Sequence, residues 1–273
     1  MFEFLMFEFR IPVKSRIWLR LAAGLAAFLL GPALCAHAEA RHLCATPEAL
    51  IHLREGLPRT EERILRNEPV TILAIGSSST AGVGASSPAF TYPNQLAQEL
   101  RRRLPGLDFR VINKGVGSEE APATVARFER DVLPENPDLV IWQVGTNDAL
   151  HDEDIALYHE AMKQGIDALQ AAGIDILIMD LQYAPQILAH PLYRQIEQEI
   201  SALGREEGTP VFHRFAIMHH WLTSDGLDFK AMLSPDGLHM NDLSYSCLGQ
   251  LLAEAITDRV AVGVGRAVIA LHH

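Results

Sequence analysis

Five short apolar runs, each followed by a stretch with helical spacing, constrain this chain more than any other feature. The runs are VTILAIG (70–76), FRVINKG (109–115), PDLVIWQVG (137–145), IDILIMDL (174–181) and TPVFHRF (209–215). Each is bounded by turn residues, as a strand buried on both faces requires. Between them, residues 92–105, 121–132, 154–173 and 190–207 carry apolar positions at helical spacing, and residues 243–263 close the pattern. Residues 47–67 read as helical pieces interrupted near Pro58. Strand and helix in alternation predict an α/β fold, a three-layer α/β/α sandwich around a five-stranded parallel sheet. No linker is visible, so residues 41–273 are expected to form one domain. In such sheets ligands bind beyond the carboxyl ends of the strands.

The polar residues cluster where that edge should lie. The first run continues into GSSSTAGVGAS, the second into NKGVGSEE (113–120), the third into VGTND (144–148). One polar loop after a strand means little; three on one edge, rich in glycine and hydrogen-bond donors, mark a site. A serine becomes a nucleophile only when a base takes its proton. LSPDGLHMND (233–242), just before the closing helix, supplies one. Within a single turn, Asp236 can accept from Nδ1–H of His239 and leave Nε2 facing a serine.

These four blocks, in this order, resemble the SGNH (GDSL-like) family of serine hydrolases over about residues 70–260. The resemblance implies a flavodoxin-like sheet order and an esterase. The first block departs from Gly-Asp-Ser by placing Ser77 where the family has Asp. The register makes Ser78 the nucleophile and leaves Ser77 and Ser79 structural. In the second block the oxyanion-hole glycine falls on Ser118, with Gly117 just before it. Either backbone N–H can serve, and a requirement for positive φ at Ser118 is open. Asn147 of GTND corresponds to the side-chain oxyanion donor. Asp236 and His239 correspond to the orienting carboxylate and the general base. The oxyanion set implied is then Ser78 N–H, Gly117 or Ser118 N–H, and the Asn147 amide. This chemistry needs no metal and no organic cofactor. The expected activity is hydrolysis of carboxylic esters, with short acyl (acetyl) groups suggested by the small residues after Ser78. A lipase or thioesterase with longer chains, or a binding protein that keeps the fold without turnover, stays as an alternative.

Other readings of these residues are weaker. The serine loop lacks G-K-[ST], so no lysine would meet a nucleotide's phosphates. His213, His219, His220 and Asp236 are metal-ligand types, but adjacent histidines in IMHHW point apart. That segment reads as one whose Met218 and Trp221 pack inward. His219, His220 and Trp142 are candidates to line a substrate pocket. The net charge of −11 excludes a nucleic-acid surface, because phosphate backbones would be repelled.

The N-terminus has its own logic. Arg10, Lys14, Arg16 and Arg20 precede the apolar run LAAGLAAFLLGPALCAHA, and AHA before Glu39 fits a signal-peptidase site. Residues 1–40 are expected to be a signal peptide cleaved near Ala38 or Ala40. A retained anchor is the alternative. The mature chain is placed in a bacterial periplasm or outside the cell, with no stable membrane insertion. Its expected partner is a small-molecule or glycan ester, and its oligomeric state is open. Two cysteines remain after cleavage, Cys44 and Cys247. They can bridge in an oxidising compartment or stay as buried thiols.

Overall fold

The computed structural model describes residues 45–224 and 226–270, with backbone only for residues 260–270. The expected sheet is present: β1 (Val70–Gly76), β2 (Phe109–Gly115), β3 (Leu139–Gln143), β4 (Asp175–Met179) and β5 (Val211–Phe212). All neighbours are parallel, in the order β2-β1-β3-β4-β5. This is the flavodoxin-like order, whose switch point lies between β1 and β3. β3 and β4 are buried along their whole length and β1 at all but one residue, which is why their sequences read as unbroken apolar runs. β2 and β5 are the edges and are only partly covered.

Helices cover both faces. Pro58–Leu65, Tyr92–Arg103 and Asp242–Ala270 pack on one side; Ala121–Val125, Ile155–Ala171 and Tyr193–Glu206 lie on the other. Gly165 lets the helix Ile155–Ala171 approach the sheet closely, since a Cβ there would sit 2.5 Å from the Trp142 ring. Phe128 meets the same ring edge-on at 5.3 Å. Trp142 is fully buried under these two, so it is core and does not line a substrate pocket.

The helical pieces expected over 47–67 are Glu48–Ile51 and Pro58–Leu65, and Pro58 opens the second. It sits in the first turn of Pro58–Leu65, where its missing N–H costs nothing. Asp175, at the start of β4, accepts from the Thr60 N–H at 2.7 Å and the Arg59 N–H at 3.3 Å, and so caps that helix from outside it. Asp138, just before β3, accepts from Arg59 Nε (2.9 Å), Arg63 Nε (3.1 Å) and Thr71 N–H (2.8 Å). These carboxylates sit at the amino ends of the strands, opposite the polar loops, and their role is structural.

The closing helix runs from Asp242 to Ala270, well past residue 263, and takes in most of the tail that follows it in the sequence. Cys247, on this helix, is buried and disulfide-bonded. Cys44, the other half of the expected bridge, and the segment 1–40 lie outside the described residues. No helix among the described residues is long and apolar enough to cross a membrane.

Candidate active site

The three serines after β1 are sorted by what their hydroxyls touch. Gly76 ends β1 at φ +149°, and a Cβ there would lie 2.4 Å from the Gln143 carbonyl oxygen. Only glycine permits this approach of β1 to β3. Ser77 then donates its N–H and its hydroxyl to Gln143 Oε1, both at 3.0 Å, and Thr80 Oγ1 donates to the same oxygen at 3.2 Å. The Ser79 hydroxyl turns the other way, to Gln182 Oε1 at 3.2 Å. Ser77 and Ser79 are buried and committed, whereas Ser78 is half-buried. At the position the family gives to aspartate, the Ser77 hydroxyl donates to Gln143 Oε1, which an ionised carboxylate could not do.

Ser78 Oγ lies 2.8 Å from His239 Nε2, and His239 Nδ1 lies 2.6 Å from Asp236 Oδ2. The loop that presents them is tightly built. Asp236 Oδ1 accepts from Ser234 Oγ (2.7 Å), Leu238 N–H (2.9 Å) and His239 N–H (3.0 Å). Burial works against the Asp236 charge. The hydrogen bonds from Leu238, the His239 ring and Ser234 outweigh it and hold the carboxyl well below the usual range. Ser234 N–H closes the loop on the His239 carbonyl at 2.8 Å. Gly84, at φ +91°, presses against it, since a Cβ there would meet the Met240 carbonyl oxygen at 2.4 Å. The serine loop and the histidine loop are therefore in direct contact.

The second and third loops meet beside Ser78. Val116 N–H donates to the Gly76 carbonyl at 2.9 Å, which extends the β1–β2 pairing into the loop. Asn147 Nδ2 donates to the Glu119 carbonyl at 2.8 Å and leaves its second N–H for another acceptor. The backbone N–H groups of Ser78, Gly117 and Ser118 make no hydrogen bond among the described residues. Ser118 adopts φ +62°, the left-handed region, and Gly117 does not. The position of the family's glycine thus keeps a glycine-like backbone under a serine side chain.

That conformation predicts a stability change. Ser118→Gly should relieve about 1 kcal/mol of strain and return roughly 0.5–1 kcal/mol through a looser unfolded chain. The expected net is neutral to slightly stabilising, read from the urea midpoint. A clear loss of stability would mean that the serine side chain holds the turn.

Three supporting residues, Gln143, Gln182 and Arg127, had no local signature in the sequence, and a fourth, Asp148, ends the GTND block with no role assigned to it there. Gln143 and Gln182 are the buried acceptors already named. Asp148 ties the second loop to the third: Oδ1 accepts from Ala121 N–H at 2.7 Å and Oδ2 from Gly145 N–H at 3.0 Å. Burial pushes the Asp148 carboxyl up to about 6, against the pull of those two N–H groups. Arg127, 6% exposed, pairs with Glu119 at 2.7 Å and donates to the Lys114 carbonyl at 2.7 Å. It anchors the loop that carries Gly117 and Ser118. For the two glutamines the signal available was a polar residue inside or just after an apolar run.

The residues considered as metal ligands are not brought together. His213 Nδ1 lies 3.2 Å from Asp180, whose hydrogen bond raises the imidazole pKa, while Asp236 faces His239. His219 and His220 lie on the helix Arg214–Thr223, with Met218 and Trp221 buried, as expected. The His219 ring is exposed and meets Tyr183 at 5.0 Å. Among the described residues there is no group of three or more His, Cys, Asp or Glu that could hold a metal ion.

A 2-1-3-4-5 parallel sheet with these four loops on its carboxyl edge defines the scaffold of the SGNH, or GDSL-like, lipases and esterases. Within that class the chain belongs to the non-GDSL lipase-like family, whose model matches residues 43–262. It is similar to esterase TesA of Pseudomonas aeruginosa, at 26% identity over 172 residues, covering 62% of this chain and 79% of that protein. Solved structures share the fold. A two-domain esterase (CEX) active on acetylated mannans, co-crystallised with mannopentaose, superposes with a TM-score of 0.63 at 20% identity, over 77% of this chain. This chain covers 56% of that two-domain protein. An acetyl xylan esterase, AlAXEase, superposes with a TM-score of 0.58 at 20% identity, over 68% of this chain and 100% of its own.

Proposed function

We propose that this protein is a serine esterase that removes short acyl groups, foremost acetyl, from a glycan or other bulky alcohol through an acyl-enzyme. The observation that carries the reading is the relay from Ser78 Oγ through His239 to Asp236, at 2.8 and 2.6 Å. In this reading His239 Nε2 takes the Ser78 proton as Oγ attacks the ester carbonyl. Asp236 fixes the imidazole tautomer and stabilises the imidazolium. Negative charge develops on the carbonyl oxygen. It is met by the Ser78 N–H, the N–H of Gly117 or Ser118, and the Asn147 amide, and one such donor lowers a barrier by about 3 kcal/mol. The C–O bond to the alcohol breaks, and His239 returns its proton to that oxygen. Water, deprotonated by His239, then releases the acid and restores Ser78.

The acyl preference rests on the small residues that follow Ser78 and on relatives that act on acetylated mannans and xylan. The basic, apolar and A-x-A-ended first forty residues support export, so the reaction is placed in the periplasm or outside the cell. The test uses a fluorophosphonate and p-nitrophenyl acetate, butyrate and octanoate. One fluorophosphonate adduct on Ser78, with kcat/KM falling from acetate to octanoate, is the expected result. A rise toward octanoate would favour a lipase or thioesterase. Absence of any adduct on the folded protein would favour a binding protein.

A further inference from the structure

Gln182 stands three residues past the end of β4, on the carboxyl edge of the sheet, and is 1% exposed. Its side chain makes three hydrogen bonds. Oε1 accepts from Ser79 Oγ at 3.2 Å and from Thr146 Oγ1 at 3.1 Å, and Nε2 donates to the Leu238 carbonyl at 3.4 Å. Each partner is the immediate neighbour of a residue in the proposed machinery. Ser79 follows Ser78, Thr146 precedes Asn147, and Leu238 precedes His239. One buried side chain thus touches the loops that carry the nucleophile, the oxyanion amide and the base.

We infer that Gln182 is a positioning residue that fixes the mutual placement of Ser78, Asn147 and His239; this rests on the function proposed above. The chemistry of the side chain suits the task. Two hydroxyls need an acceptor and one carbonyl needs a donor, and an uncharged amide offers both on one rigid plane. A carboxylate would accept from the hydroxyls but repel the Leu238 carbonyl. An apolar side chain would take the acceptor from both hydroxyls and the donor from the Leu238 carbonyl. The surroundings are themselves held. Arg214, fully buried, donates Nε to the Asp180 carbonyl at 2.9 Å and Nη2 to Thr146 Oγ1 at 3.5 Å. Thr146 therefore sits between Gln182 and a fixed cation, and its hydroxyl has little room to turn. Gln182 does not reach the reacting atoms, so its influence must pass through these three neighbours. A misplacement of about 1 Å can cost on the order of 100-fold in rate.

The experiment compares wild type with Gln182→Met, Ser79→Ala and Thr146→Val by fluorophosphonate labelling rate, kcat, KM and melting temperature. For Gln182→Met, kcat and the labelling rate of the folded protein should fall together, by about 10- to 100-fold. KM should stay within about threefold, because no substrate contact is removed. Ser79→Ala and Thr146→Val each cut one tether and should give smaller losses of the same kind. In the Thr146→Val background the further effect of Gln182→Met should shrink, since the two share a bond. A folded Gln182→Met that labels within twofold of wild type overturns the inference. If that variant does not fold, wild-type labelling rates in both single-tether variants overturn it instead. Failure of the wild type itself to label would sink the esterase reading, which is a separate outcome.

Discussion

Ser78→Ala is expected to lower kcat/KM for an ester substrate by about 10⁴- to 10⁶-fold, with little change in melting temperature. The two parts of this expectation come from one fact. The hydroxyl of Ser78 has His239 Nε2 as its partner, at the half-buried end of the site. Deleting it removes the attacking atom but opens no cavity in the core, and such surface changes usually fall within about 0.5 kcal/mol. Its neighbour Ser77 should behave in the opposite way. Ser77 donates to Gln143 and Ser79 to Gln182, both away from solvent. Ser77→Ala removes one of three donors to Gln143 Oε1, so its cost should appear as stability, on the order of 1 kcal/mol. The assay is p-nitrophenyl acetate hydrolysis with urea melts for each variant. If Ser78→Ala retains turnover near wild type, the nucleophile is another residue and the assignment within this serine run is wrong.

The run of serines shows how far local sequence reaches. The strand VTILAIG and the hydroxyls beyond it were legible because burial on both faces leaves an unbroken apolar run that ends at the sheet edge. The pairing of Asp236 with His239 was legible because both lie in one turn. Which serine faces the histidine was available only through the family register, since the partners that commit Ser77 and Ser79 come from β3 and from beyond β4. Gln143 and Gln182 stand in apolar stretches with nothing nearby to explain them. Their partners are 66 and 103 residues away in sequence. The same limit applies to Trp142. A tryptophan near a strand end fits a pocket wall as well as a core, and only Gly165 and Phe128, from later and earlier elements, decide for the core. At Ser118 the sequence shows a side chain where the family has none, and the left-handed φ is a property of the folded loop. Pro58 was ambiguous for a local reason, because a proline ends one helix and begins another with equal ease.

Asp236→Asn should lower kcat by about 10⁴-fold while the loop keeps its shape. Asp236 has two oxygens with separate duties. Oδ1 holds the loop through Ser234 Oγ, Leu238 N–H and His239 N–H, and an amide oxygen can accept all three. Oδ2 faces His239 Nδ1 at 2.6 Å, and there an amide would present N–H to the ring. His239 then accepts at Nδ1 and carries its proton on Nε2, the nitrogen that must take the proton of Ser78. The substitution thus removes the base function and not the residue. A pH signature accompanies it. The Asp236 carboxyl is held below its ordinary range in the folded chain. Its stabilising contribution is therefore complete above the unfolded value of about 4 and is lost as pH falls from there toward the folded value. The side chain is 43% exposed, so solvent screens this contribution. Stability measured from about pH 5 downward should fall less steeply in Asp236→Asn than in wild type, since one proton uptake on unfolding is removed. Equal slopes would place the carboxyl at its ordinary value, and equal kcat would mean that His239 is oriented by something other than Asp236.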